Sequence, residues 1–328
     1  MPSKLNRSIE PIWRKREQEN AMSLTLIKDV FSHLNLMTNR FLHLLSITSS
    51  QDPIEYRCCK LKINPDGRIV SLLEEIKKLY IDDGKLETYQ QVCDYDGTAN
   101  AHAIYRLPTN HPLIADRCPL LMRAIAESAE IADPFQFKSA YSITGKLNLN
   151  GQATNIKLFS VRTPITSLKH KFLYSDTTFR EITNQVLSLR TTMDILFVGD
   201  TIYFLSMNGE NLFNMERAYK TACQQTISEV EQADIIGDIE AFSSRAAAGH
   251  NPRRFLSFKQ SRLVALRDKR VRAEMASRFS IPLDANNDKF DASSQEACDR
   301  IVKLLCNKGM LDPFNDNAVE VDGARRWQ

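Results

Sequence analysis

AYSITGKLNLNGQATNIKLFSV, Ala140 to Val161, is the stretch on which the fold class turns. Its two halves alternate or run apolar as strands do, and they flank Asn150-Gly151, a dipeptide that readily takes the positive φ angles of a tight hairpin turn. The same arrangement returns where DILFV and TIYFLSM flank Gly199-Asp200. Two hairpins in succession predict an antiparallel meander. Upstream, FLHLLSIT and YRCCKLKI also read as strands, and LETYQQVCDYDG with AHAIYRL as another hairpin. Helices are predicted around them. Leu24, Ile27, Phe31 and Leu34 recur at helical spacing, GRIVSLLEEIKKLY sets Ile69, Leu72, Leu73, Ile76 and Leu79 on one face before Gly84, and HPLIADRCPLLMRAIAESAEI supplies a further helix. The prediction is an α+β fold, a mixed sheet with an antiparallel meander and flanking helices.

Three segments follow from the pattern. Residues 1–21 form a polar, weakly basic arm to which no fold is assigned, 22–244 a mixed α/β domain with the central hairpins, and 245–328 a basic helical region with a terminal hairpin. MERAYKTACQQTISEVEQA is a helix leading into the last of these. There, SSQEACDRIVKLLCNKG is capped by Ser293 or Ser294, lines up Ala297, Ile301, Leu304 and Leu305, and ends at Gly309. Beyond it stand a turn at Asp312-Pro313, a short strand from Ala318 to Val321, and a turn at Asp322-Gly323 before Arg325, Arg326 and Trp327. Helices followed by a small hairpin are compatible with a winged-helix-like module, and equally with a domain cap.

The chemistry-bearing motifs are mostly missing. No apolar run approaches the roughly 18 residues of a membrane span, the richest, ILFVGDTIYFL, being cut by Gly199 and Asp200. The basic N-terminus lacks an apolar segment behind it, so the expected location is the cytoplasm. Seven scattered cysteines without a C-x-x-C pair predict reduced thiols, neither a disulfide framework nor a zinc site. The Gly-Lys pairs Gly84-Lys85 and Gly145-Lys146 are followed by leucine, which excludes a phosphate-binding P-loop. G-x-S-x-G, G-x-G-x-x-G and H-E-x-x-H are absent and the six histidines are dispersed. No cofactor, metal or enzymatic activity is expected. The alternative, a metal-dependent nuclease, rests on Pro65-Asp66 with Glu75-Ile76-Lys77, but Glu75 sits in a strongly helical run where that chemistry needs a strand. Asp94 to Gly97, DYDG, begins like a calcium loop, yet Tyr105 stands where its twelfth-position glutamate belongs.

Charge is the informative signal. The formal net charge is only +3, but Arg245 to Phe279 carries ten Lys or Arg against two acids, and Thr221 to Glu240 no base and five acids. Read as one helix, Asn251 to Phe279 gathers Leu256, Leu263, Val264, Val271 and Met275 on a side that would dock on the core. Lys259, Arg262, Lys269 and Arg272 then face solvent, where they can neutralise duplex phosphates without reading sequence. Arg253, Arg254, Arg270, Arg325 and Arg326 complete the candidate nucleic-acid site, while Arg267 and Arg278, nearer the apolar side, are expected to pair with acids. Glu229, Glu231, Asp234, Asp238 and Glu240 form a candidate surface for a basic partner. A protein adaptor whose basic face holds another protein is a further alternative.

The run from DILFVGDTIYFLSMNGENLFNMERAYKTACQQTISEVEQ through LLCNKGMLDPFNDNAVEVDGARRW resembles the KwaB-like proteins of the bacterial Kiwa anti-phage defence system, most closely over the last 140 residues or so. The resemblance implies a DNA-binding effector that impedes phage replication and late gene expression. It also implies recruitment to the inner membrane by a small multi-pass partner, KwaA. Self-association into a dimer or larger homo-oligomer is expected besides. The family offers no catalytic motif to carry over, so the site residues rest on charge alone.

Overall fold

A computed structural model of the chain describes residues 10–48, 54–61, 67–97, 100–131, 133–167, 172–175, 178–181, 185–249, 251–286, 288–306, 309–311 and 318–320. It divides into two compact units: Met1–Asp94 with Ala101–Met215, and Tyr95–Asn100 with Glu216–Gln328.

The first unit opens with α1 (Glu10–Ser32), β1 (Thr38–Thr48), β2 (Glu55–Leu61), α2 (Gly67–Lys77), β3 (Gln91–Asp94) and β4 (Ala103–Pro108). It continues through α3 (Cys118–Ala126), β5 (Ala129–Glu130), β6 (Ala140–Leu149) and β7 (Gln152–Ser160). Four short strands follow, β8 (Ile165–Ser167), β9 (Phe172–Ser175), β10 (Thr178–Glu181) and β11 (Gln185–Leu187), then β12 (Ile195–Val198) and β13 (Thr201–Phe204). The α+β prediction holds: nine strands make one mixed sheet in the order β3-β4-β13-β12-β7-β6-β1-β2-β5. Both predicted hairpins form its centre. Leu149 pairs with Gln152 around Asn150 (φ 51°) and Gly151 (φ 81°), and Val198 pairs with Thr201 around Gly199 (φ 56°).

Because side chains alternate along a strand, each row of paired residues belongs to one face. Leu42, Leu44, Ile143, Leu158 and Leu196 lie in the same buried core as Ile27 and Phe31 of α1 and Leu73 and Ile76 of α2. Tyr80, stacked on Phe31 at 4.2 Å, donates its hydroxyl to the Met193 carbonyl and accepts the Met193 amide. His43, Ser142, Phe159, Ile195 and Phe204 make a row on the opposite face, where Tyr56 of β2 donates to the Leu212 carbonyl and α3 packs on β2.

Two expectations are corrected. The arm assigned no fold is helical from residue 10 onward, since Pro11 falls in the first turn of α1, where its missing N–H costs nothing; residues 1–9 lie outside the described residues. The predicted β3–β4 hairpin is instead a parallel pair, with Val92 opposite Ile104. Of the residues between these strands, Tyr95–Asn100 group with the second unit.

The second unit comprises α4 (Met215–Ala233), α5 (Ile239–Ala246), α6 (Asn251–Arg254), α7 (Gln260–Leu266), α8 (Lys269–Arg278), α9 (Gln295–Leu305), β14 (Gly309–Leu311) and β15 (Ala318–Glu320). Its core is built on Val230, Phe242, Phe290, Ile301 and Leu305. Ser294 caps α9 as predicted, accepting from the Ala297 amide at 3.1 Å. β14 and β15 pair antiparallel after α9, and the described residues do not establish a winged helix. The turns at Asp312-Pro313 and Asp322-Gly323 lie outside the described residues.

Residues Tyr95–Asn100 are tied into this unit by a Tyr95–Tyr219 hydroxyl hydrogen bond and by Ser257 Oγ donating to the Asp96 carbonyl at 3.1 Å. Gly97 there has φ of 80°, and a Cβ on it would stand 2.8 Å from the Arg253 carbonyl oxygen. Both the backbone angle and the space exclude a side chain. Gly97→Ala is therefore expected to cost about 1–3 kcal/mol in urea unfolding, and an unchanged midpoint would contradict the packing described.

Candidate nucleic-acid interface

The basic stretch is not one rod. Lys259 and Asp268 both take extended backbone angles, and they divide it into α6, a 3-10 turn over Phe255–Ser257, α7 and α8. Asp268 is the N-cap of α8, its carboxylate accepting the Arg270 and Val271 amides at 2.8 and 3.5 Å. A single helical wheel therefore misplaces residues on either side of the break. Val264, assigned to the core side, is 57% exposed, whereas Leu263 and Leu266 are buried.

The same break moves Arg272, which was expected to face solvent. It is 4% exposed and threads between α7 and the loop at Asp288. Its Nη2 pairs with Asp288 Oδ1 at 2.9 Å, its Nη1 donates to the last carbonyl of α7, Leu266, at 2.8 Å, and its Nε donates to the Asp288 carbonyl. Lys269 reaches the other oxygen of that carboxylate at 2.9 Å. Bonded to Lys269 first and then Arg272, the Asp288 carboxyl is held below the usual carboxylate range. Arg262 is also turned inward, donating at 2.8 Å to the Leu304 carbonyl in the last turn of α9, where a cation suits the helix dipole. Arg254 donates to Asn251 Oδ1 at 2.7 Å, and the Arg253 guanidinium lies 5.5 Å from the Tyr219 ring centre.

What stays outward is an elbow. Lys259, Arg267 and Arg270 are exposed and, among the described residues, in no ion pair; Lys269, though paired, keeps 75% of its side chain exposed. Between Lys259 and Arg270 the sole acid is Asp268, already engaged with backbone amides. Arg278 does not reach the acids of α4 and α5; it pairs with Glu274 of its own helix at 2.6 Å. Arg325 and Arg326 lie outside the described residues.

The acidic candidates separate too. Glu231 and Glu240 are exposed, Asp234 pairs with Lys289 at 2.5 Å, and Asp238 caps α5 by accepting the Ala241 amide at 2.9 Å. Glu229 is half-buried, with one carboxylate oxygen shielded from solvent and unbonded. Of the nuclease motif, Pro65-Asp66 lies outside the described residues, and Glu75 and Lys77 lie in α2. Asp94 of DYDG pairs with Arg106 at 2.6 Å. Among the described residues, no three His, Cys, Asp or Glu gather where they could hold a metal ion. Nor is any helix there long and apolar enough to cross a membrane.

The family described as Kiwa protein KwaB-like matches residues 147–310, half of the chain. The chain belongs to the KwaB-like family. No curated protein and no solved structure matches it. Membership gives it a role in Kiwa anti-phage defence. The region shared with other KwaB-like proteins starts near the end of β6 and runs into β14, so it contains the whole α7–α8 elbow and the acids of α4 and α5.

Proposed function

We propose that this KwaB-like chain acts in anti-phage defence by binding double-stranded DNA, largely without sequence preference, through the cationic elbow of α7 and α8. The observation that supports this is the concentration of Lys259, Arg267, Lys269 and Arg270 on exposed positions with no free acid among them. Four such charges reach backbone phosphates and release counterions, giving affinity that falls steeply with salt. Bound protein impedes replication and expression of the invading DNA without cutting it. Glu231 and Glu240, exposed in the same unit, are the acids available to a basic cytosolic loop of a KwaA-like multi-pass membrane protein, which would bring the chain to the inner membrane. Self-association would lengthen the footprint on DNA.

The test is retention of labelled duplex across a salt series by wild type and by Lys259→Glu with Arg270→Glu. Both residues are exposed and unbonded, so the variant keeps its fold. The slope of log affinity against log salt should flatten by about 2, for all sequences alike. Equal slopes would remove the elbow from consideration. Magnesium-dependent strand breaks would instead favour a nuclease, and no retention at low salt a protein adaptor.

A further inference from the structure

On the β6–β7–β1–β2 part of the sheet, one face carries an exposed aromatic ring and three lysines, of which Lys60 stands over that ring while Lys157 Nζ lies 5.8 Å from the Phe197 ring centre. Register places Phe41 of β1 opposite Thr144 of β6, and Thr144 opposite Lys157 of β7, so the three lie in one row about 10 Å long. Lys60 of β2 swings over that row, with Nζ 3.7 Å from the centre of the Phe41 ring. Lys146, two residues beyond Thr144, is exposed on the same face. Phe41 itself is 39% exposed, unusual for a phenylalanine on a strand whose next four residues are buried. None of the three lysines forms an ion pair among the described residues. Lys60 forms none although Glu130 of β5 is in register with it: its ammonium takes the ring rather than the carboxylate. Burial lowers the pKa of Lys157, with the Cys118 and Asp200 groups acting the other way, and a bound anion would favour its charged form.

We infer that this sheet face is a binding site for single-stranded nucleic acid, with one base stacked on Phe41 and the backbone phosphates met by Lys60, Lys146 and Lys157. Strands suit the task because they hold an aromatic side chain flat and present cations on adjacent strands at fixed spacing. A base on an aromatic ring contributes more than an exposed ammonium on the same ring, so an incoming strand displaces Lys60 from Phe41 and offers it a phosphate instead. The site does not depend on the duplex reading of the α7–α8 elbow, which uses other residues of another unit.

Fluorescence anisotropy with labelled oligothymidylate and the full chain tests it. Wild type should bind at low salt, Phe41→Ala should bind about tenfold more weakly or worse, and Phe41→Trp should bind at least as well as wild type. Lys60→Gln and Lys157→Gln should each weaken binding a few-fold and flatten the salt slope by about 0.7. Phe41→Ala should leave duplex retention unchanged, and Lys259→Glu with Arg270→Glu should leave oligothymidylate binding unchanged. Bromouracil-substituted strands should crosslink to the β1 peptide. Undiminished affinity in a folded Phe41→Ala protein, loss of single-strand binding in the elbow variant instead, or no binding by wild type would each overturn the assignment. If Phe41→Ala does not fold, Lys60→Gln and the crosslinked peptide decide.

Discussion

Arg272→Ala is expected to destabilise the second unit by about 2–4 kcal/mol, a large part of the stability of an ordinary domain. The guanidinium is buried and closes three acceptors at once: the Leu266 carbonyl at the end of α7, and the carbonyl and carboxylate of Asp288. Truncation leaves a buried carbonyl unpaired and opens a cavity between α7, α8 and the Asp288 loop. Arg272→Glu should be worse, because it sets a second carboxylate beside Asp288. The contrast is Lys269→Ala, which touches the same carboxylate from an exposed position and should cost about 0–1 kcal/mol. Urea unfolding of the two variants separates burial from mere pairing. Arg272→Met should lose less than Arg272→Ala, since its longer apolar side chain fills part of the cavity. Equal midpoints for Arg272→Ala and wild type would show that the pair is not structural. Any Arg272 substitution is thus a test of folding, and loss of DNA retention in it says nothing about the elbow.

Local chemistry was readable and distant partners were not. Asn150-Gly151 announces its hairpin because positive φ at both positions is a requirement of two residues and no neighbours. The Ser294 cap is legible for the same reason, its bond reaching three residues along the chain. The helix break at Asp268 had a signal of that kind which the charge pattern obscured: an aspartate preceding Lys-Arg-Val, able to cap the next helix. Missing it rotated the predicted outer face and put Arg272 in solvent. Nothing near Arg272 announces Asp288, sixteen residues on in an irregular loop, or links Arg262 to the far end of α9. The parallel pairing of β3 and β4 was likewise hidden. Parallel strands normally need a dozen or more residues between them, and the short connection from β3 to β4 therefore read as a hairpin. The sheet-face lysines were invisible as a group because they come from three strands and converge only once the register is known.

Stability of the first unit should fall by roughly 3 kcal/mol as pH drops from about 6.5 to about 4, through one residue, His43. The ring is buried on β1 and fully bonded when neutral. Ser128 Oγ gives its proton to the Ile125 carbonyl at 2.7 Å, so it accepts from His43 Nδ1 at 3.1 Å. That leaves His43 Nε2 as acceptor of the Thr144 hydroxyl at 3.1 Å. A second proton would sit on Nε2, displace that hydrogen bond and place an uncompensated charge under the sheet. Burial first, and the Lys60 ammonium second, pull the pKa from 6.5 down to about 4. In the unfolded chain the same histidine takes up its proton near pH 6.5. Between the two values the unfolded state holds the extra proton, so acid favours unfolding; above both, the penalty is absent and stability is at its full value. His43→Gln can still donate and accept but does not titrate. Other groups ionise alike in both proteins, so the difference between their unfolding free energies isolates the histidine. Wild type should lose about 3 kcal/mol relative to His43→Gln between pH 7 and pH 4, and parallel profiles over that range would show that the imidazole is reached by protons in the folded state.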